Sequence, residues 1–246
     1  MIKKLNLLIS KSRVRKKENR FVVSCERELT RAIEMGYKVD TLFYRVDYDE
    51  KIIKVHSDSV YELSSALFDR LSKRSGSEEV IAILETKSHH IKDITVDNDC
   101  RVLVVEAPEK PGNIGALLRT AAAAGWDAVI IANPKTDLYH PQIIRNSMGG
   151  VFCIPIASAS SEEVISFLEA NAFNISAAAL DNEAKHFKRV KYQRPLALVF
   201  GTEDKGLSQK WLKKAKHIVQ IPVKFPIDSL NLSVSAGILM YHCGDE

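Results

Sequence analysis

The sequence predicts an α/β protein built on a mainly parallel sheet, and two observations lead there. Short apolar runs recur through the second half, among them Val102–Val105, Ala128–Ala132 and Leu196–Phe200, with helically spaced segments between them. Strands buried on both faces read as such unbroken runs, and repeated β-α units give a parallel sheet covered by helices on both faces. A polar stretch, residues 91–100 (IKDITVDNDC), then lacks any amphipathic period and separates this half from a smaller N-terminal α/β layer. The domains expected are 1–95 and 98–246.

In chain order, Phe21–Ser24 reads as a buried strand, and Arg27–Met35 as a helix closed by Gly36. Val39–Tyr44 is a strand, Val60–Leu71 has helical spacing, and Val80–Leu84 is a third strand. Past the linker, Val102–Val105 is a strand, Pro111 and Gly112 mark a turn, and Ile114–Ala124 is a helix. Ala128–Ala132 is a strand, and Pro141–Ser147 a helix with proline in its first turn. Val164–Ala170 and Ile175–Leu180 repeat helix and strand. Leu196–Phe200 and His217–Ile221 are further strands, and Ser229–His242 is the last helix, capped by Asp228 or Ser229.

Composition narrows the class. In 246 residues with 46% hydrophobic side chains no apolar run approaches the roughly 20 residues of a membrane span. Leu5–Ile9 runs straight into Lys and Arg without a small-residue cleavage site, so a secretory signal is not expected and a cytoplasmic protein is. Cys25, Cys100, Cys153 and Cys243 are scattered with no CxxC spacing, and His89 and His90 are adjacent, so no metal site is expected. Residues 1–20 hold eight Lys or Arg against the single acid Glu18; this +7 within a total of +4 leaves −3 elsewhere. A concentrated positive segment on a near-neutral body suits a polyanion such as nucleic acid.

In parallel sheets ligands bind at the carboxyl ends of the strands, here after Glu106, Phe200 and Ile221. The first loop leads through Gly112, Asn113 and Gly115 toward Arg119. Gly115 and Arg119 share a helix face, and Arg suits phosphate recognition; Gly112-Asn-Ile-Gly115 is not the dinucleotide fingerprint. The second loop, Gly201-Thr-Glu203-Asp-Lys-Gly206-Leu-Ser208, has the outline of a P-loop, but Leu207 stands where the lysine belongs and two acids would face the phosphates. Glu203 there suits hydroxyls, amines or Arg. The third segment, Ile221 to Ser233, sets Ser229, Asn231 and Ser233 beside a helix N-terminus, where N–H groups favour an anionic ligand group.

Together PGNIGALLRTA (111–121), LVFGTEDKGLS (198–208) and IPVKFPIDSLNLSVSAGI (221–238) resemble the SpoU-type (TrmH-like) RNA 2′-O-ribose methyltransferases of the SPOUT superfamily. The resemblance covers about residues 98–246, and His140–Gly149 fits it too. Residues 10–90 resemble, more weakly, the ribosomal-protein-like substrate-binding domain that precedes many such enzymes. The resemblance implies a deep trefoil knot in the C-terminal segment and a homodimer whose active sites are completed at the subunit interface. It implies S-adenosyl-L-methionine (SAM) held by Leu180, Gly201, Ile221 and Leu230, largely through backbone. It gives Asn113, Arg119, Glu203, Ser229 and Asn231 as the catalytic set. Thr202 and Asp204 depart mildly from the family pattern, which usually has Asn and Gly there.

The reaction implied is transfer of the SAM methyl to a ribose 2′-hydroxyl of RNA, ribosomal RNA before tRNA. Arg119 would grip the adjacent phosphate rather than act as base, since a guanidinium stays protonated. Glu203 would orient Arg119 or Asn113, and Ser229 and Asn231 would position the ribose and loop. A second basic stretch, Lys185, Lys188, Arg189, Lys191 and Arg194, would line the catalytic face or be a solvated surface. The rivals are a non-catalytic RNA-binding protein on this fold and a nucleotide-binding enzyme using the Gly201 loop.

Overall fold

A computed structural model describes residues 1–46, 48, 57–72 and 79–244. They form two compact units that are not contiguous in sequence. One comprises Met1–Ser88 with Asp137–Cys153, the other His89–Thr136 with Ile154–Glu246.

The first unit contains α1 (Ile2–Ser10), α2 (Ser12–Glu18), β1 (Arg20–Val23), α3 (Glu26–Glu34), β2 (Val39–Arg45), β3 (Ser57–Leu63), α4 (Ser65–Ser72) and β4 (Val80–Glu85). Its sheet has the order β1-β4-β2-β3; β4 runs antiparallel to both neighbours and β2–β3 is parallel. Leu5 and Leu8 of α1 and Phe68 and Leu71 of α4 close a core on Val22, Phe43, Ile81 and Ile83. The helical reading of 60–71 is corrected: residues through Leu63 form an edge strand, and the helix starts only at Ser65. Val60 and Tyr61, half-exposed β-formers, sit on a pleated edge, while the helix nucleates where Leu67 and Phe68 N–H groups bond the Ser64 carbonyl.

The basic N-terminal segment folds as the two helices α1 and α2, and its charges are not equivalent. Arg15 is buried, with Nε 2.5 Å from Asp137 and Nη1 donating to the Leu8 carbonyl at 2.7 Å. Arg20 pairs with Asp40 and Glu85. Lys3, Lys11, Arg13, Lys16 and Lys17 face solvent. The segment holding Asp137 also supplies α6 (Pro141–Ser147) and α7 (Gly150–Cys153) to this unit, and Tyr139 stacks on Phe21 at 4.3 Å.

The second unit has β5 (Arg101–Glu106), α5 (Pro111–Ala123), β6 (Ala128–Ala132), β7 (Ile156–Ala159), α8 (Ser161–Ala170), β8 (Asn174–Ala178), β9 (Lys185–His186), β10 (Leu196–Phe200), α9 (Gln209–Lys214), β11 (His217–Gln220) and α10 (Leu232–Gly244). All seven strands pair in parallel in the order β7-β6-β5-β10-β8-β11-β9. Val102, Val104, Ile130, Ala197 and Val199 pack under Val164, Leu168 and Trp211 of α8 and α9. The alternate residues Leu103, Val105, Val129 and Leu198 are equally buried, and α5 and α10, which pack on each other, touch this sheet at β6 and β10. Both faces are covered, as the unbroken apolar strands require.

Two helix starts differ from the sequence reading. Pro111 takes the first position of α5, so Asn113 lies in a helical first turn rather than in a loop. The last helix begins at Leu232 instead of Ser229: Asn231 is the cap, its Oδ1 accepting from the Ser233 N–H at 2.9 Å. Neither Asp228 nor Ser229 caps it.

Candidate active site

The strand ends of the second unit open onto a cleft of about 470 Å³, within the roughly 300–1,000 Å³ of small-molecule sites. Leu180, Gly201, Ile221 and Leu230 all line it, as do Ser229 and Glu203. Its floor is the carboxyl end of β8, β10 and β11: Ala178, Phe200 and Val219.

The wall carrying Glu203 is a tight loop closed by paired backbone bonds between Thr202 and Gly206, at 3.1 and 3.0 Å. Gly201 has to be glycine: a Cβ there would run into the backbone of Gly206 and Leu207. Gly206 turns the chain with φ +64°, a conformation that a side chain disfavours.

At the rim three distant segments meet. Glu203 Oε1 accepts from Asn113 Nδ2 at 2.7 Å and from Asn231 Nδ2 at 2.9 Å. Asn231 Nδ2 also reaches Asn113 Oδ1 at 3.3 Å. Glu203 Oε2 is paired with Lys110. That ammonium, with the Asn113 amide and the Leu232 N–H at the start of α10, holds the Glu203 carboxyl below its ordinary range against a smaller opposing push from burial. Lys110 is raised in turn, first by its bond to Glu203.

The structure therefore brings Asn113, Glu203 and Asn231 together and sets Ser229 in the adjoining wall. Arg119 is exposed on α5, lines neither this cleft nor the small one beside Asn113, and makes no hydrogen bond or ion pair with the described residues. Of the two partners offered for Glu203, it takes Asn113. Lys110 was missed; as a lysine two residues before a helical Gly-Asn it carries no sequence signal of its own. Among the described residues no group of three or more His, Cys, Asp or Glu is placed to hold a metal, and no helix is long and apolar enough to cross a membrane.

A wholly parallel sheet with a cleft of mixed polar and apolar lining and a charge-bearing rim at its strand ends defines the class of α/β enzymes that bind a small cofactor at the carboxyl edge. Residues 101–241 match the SpoU rRNA Methylase family and residues 1–82 the MRM3-like substrate binding domain. The chain belongs to the SpoU rRNA methylase family. It is 27% identical over 245 residues (95% of this chain, 85% of the relative) to a 23S rRNA (uridine-2′-O)-methyltransferase of Streptomyces viridochromogenes. It is 28% identical over 182 residues (74% and 71%) to a 23S rRNA (guanosine-2′-O)-methyltransferase of Bacillus subtilis. The crystal structure of an AdoMet-bound rRNA methyltransferase from Sinorhizobium meliloti superposes with a TM-score of 0.90 at 25% identity, over 98% of this chain and 93% of that one.

Proposed function

We propose that this protein transfers the methyl group of SAM to a ribose 2′-hydroxyl of ribosomal RNA. The observation that supports it most is the meeting of Asn113, Glu203 and Asn231 at the rim of a cofactor-sized cleft. The relatives are named as acting on uridine and guanosine of 23S rRNA, which favours ribosomal RNA as the substrate class.

The cleft fits the cofactor in size and chemistry. Leu180, Ile221 and Leu230 give apolar walls, and Gly201, which admits no side chain, leaves backbone as the contact. When bound, SAM supplies an electrophilic methyl group. The chain's own work is positioning, which contributes up to about 7–11 kcal/mol. Glu203, held ionised by Lys110 and engaged by two amides, is a poor proton acceptor; it fixes Asn113 and Asn231 toward the acceptor ribose, with Ser229 beside them. Arg119, permanently charged, grips a substrate phosphate.

The reading includes a cytoplasmic homodimer. Val234, Ile238 and Tyr241 form an exposed apolar stripe along α10, 50%, 37% and 52% accessible. They recur at helical spacing, an apolar face that a second copy would cover. It also includes a trefoil knot in the C-terminal segment, supported by β10 lying between β5 and β8 although it follows both. Residues 1–95 select the RNA and 98–246 perform the transfer.

Isothermal calorimetry with SAM, together with a nucleotide-resolution map of 2′-O-methylation in wild-type and deletion cells, tests the proposal. One ribosomal site should disappear in the deletion. No heat with SAM ends the enzyme reading, and a site lost from tRNA instead moves the substrate. Arg119→Ala is expected to lower turnover in a purified transfer assay with SAM affinity kept; unchanged turnover removes its role.

A further inference from the structure

The edge of the second unit's sheet carries cations that no carboxylate among the described residues pairs with. β9 and the 3₁₀ turn after it, Phe187–Arg189, present Lys185, Lys188, Arg189 and Lys191 to solvent. None of the four stands in an ion pair among the described residues. Some other cations of the same unit do: Lys135 lies 2.6 Å from Glu109, Lys214 2.5 Å from Glu169 and Arg194 2.6 Å from Asp99. The row is also fixed from below. Phe187, Val190 and Tyr192 alternate with the cations and are 7%, 5% and 7% exposed, and the Tyr192 hydroxyl donates to the Phe187 carbonyl at 3.1 Å. This is an anchored ledge of charge rather than a loose tail. Its field is felt locally: His217 is held below its ordinary value, first by burial and then by Lys185 and Lys216.

The ledge begins beside the cleft. β9 pairs with β11 so that Lys185 is opposite Val219 and His186 opposite Gln220, and Val219 and Gln220 line the cleft. Paired strands lie about 4.8 Å apart, so the first cation stands one strand spacing from the cleft wall. Leu180 and Asp181, just upstream in the chain, line it as well.

We propose that Lys185, Lys188, Arg189 and Lys191 form an RNA-backbone contact of this unit, taking phosphates of the strand that flanks the target ribose. The inference rests on the substrate reading above. RNA fits better than a protein partner because the apolar side chains of the ledge are all buried, whereas protein interfaces need an apolar centre.

The test replaces Lys185, Lys188, Arg189 and Lys191 together by Gln and measures binding to in vitro transcribed, unmodified 23S rRNA from 50 to 200 mM salt. A control replaces Lys135, Lys210, Lys213 and Lys214 by Gln, removing equal charge elsewhere. Each single-strand phosphate contact contributes about 0.7 to the slope of log K against log salt, so four lost contacts lower it by about 3. The affinity deficit of the variant then shrinks about 50-fold across that range, while SAM affinity stays at the wild-type value and the control keeps the wild-type slope. An unchanged slope overturns the proposal, as does an equal effect in the control. So does a variant that self-associates with RNA binding intact, which would make the lysines guards of an edge strand. Wild-type protein that takes no SAM but shows the slope change would sink the enzyme reading alone; SAM binding with an unmoved slope would sink the ledge alone.

Discussion

Replacing Gly201 by Ala probes cleft and rim in one step. The added Cβ would enter the backbone of Gly206 and Leu207, so the loop must open. Opening breaks the Thr202 N–H bond to the Gly206 carbonyl at 3.1 Å and its return bond at 3.0 Å. At about 1 kcal/mol net each, the loss is about 2 kcal/mol. In a protein of this size each kcal/mol shifts Tm by about 2–4 °C, so Tm should fall by about 4–8 °C. Glu203, two residues on, moves with the loop, and Lys110, Asn113 and Asn231 lose their common acceptor. SAM affinity should fall at least ten-fold, about 1.4 kcal/mol. Calorimetric melting and a SAM titration read both effects. Gly206→Ala is the control: its Cβ meets nothing within 4 Å, and its cost, about 1–2 kcal/mol, comes from φ alone. Wild-type Tm and SAM affinity in Gly201→Ala would refute the reasoning.

Asn231→Ala should lose about 1 kcal/mol of cap stability in urea unfolding, whereas Asn231→Asp keeps a capping oxygen but sets a second carboxylate against Glu203. The Asp variant should fold and lose methyl transfer; wild-type turnover in it would detach Asn231 from the chemistry. Because the Glu203 carboxyl is held below its ordinary 4.5, its contribution is fully present above that pH and is lost as pH falls through the folded-state value. The stability gap between wild type and Glu203→Gln should therefore be level toward neutrality and close below pH 4.5; a gap that widens in acid contradicts the assignment. Asp137→Ala leaves Arg15, 2% exposed, buried without its counter-charge. It should cost about 3–5 kcal/mol in urea unfolding, and a loss under about 1 kcal/mol would show the pair to be dispensable.

What was legible followed from periodicity and strand ends. The strands of the parallel sheet are apolar throughout because both faces are covered, and such runs cannot be disguised by surface composition. Val60–Leu71 misled because a half-exposed edge strand followed at once by a helix places apolar residues at spacings that mimic one helix. Ser229 misled because serine, aspartate and asparagine are all good caps; which of them caps depends on where Asn231 finds Glu203, a contact 28 residues away in sequence. Lys110 and the membership of Asp137–Cys153 in the first unit arise from tertiary contacts with no local signature.

Glu106 and Glu203 show why a carboxylate at a strand end is ambiguous until its donors are known. Glu106 ends β5 and Glu203 follows the neighbouring β10. Glu106 is 8% exposed. Its Oε1 accepts from the hydroxyls of Ser161 at 3.0 Å and Ser208 at 2.9 Å, and its Oε2 from the Ser208 N–H at 2.9 Å. All its donors stand at helix starts, so it acts as a joint, tying β5 to the first residues of α8 and to the residue before α9. Ser208 also ends the loop that begins at Gly201. That loop is clamped at its entry by the packing of Gly201 on Gly206 and at its exit by Glu106, and neither clamp uses a group of the Asn113–Glu203–Asn231 cluster. Glu203 can thus be displayed at a solvent-facing rim and still keep a fixed direction, which positioning chemistry demands of its supporting residues. The buried carboxylate spends its hydrogen bonds on the frame, and the rim carboxylate is left to hold the two amides of Asn113 and Asn231 at the edge of the cleft.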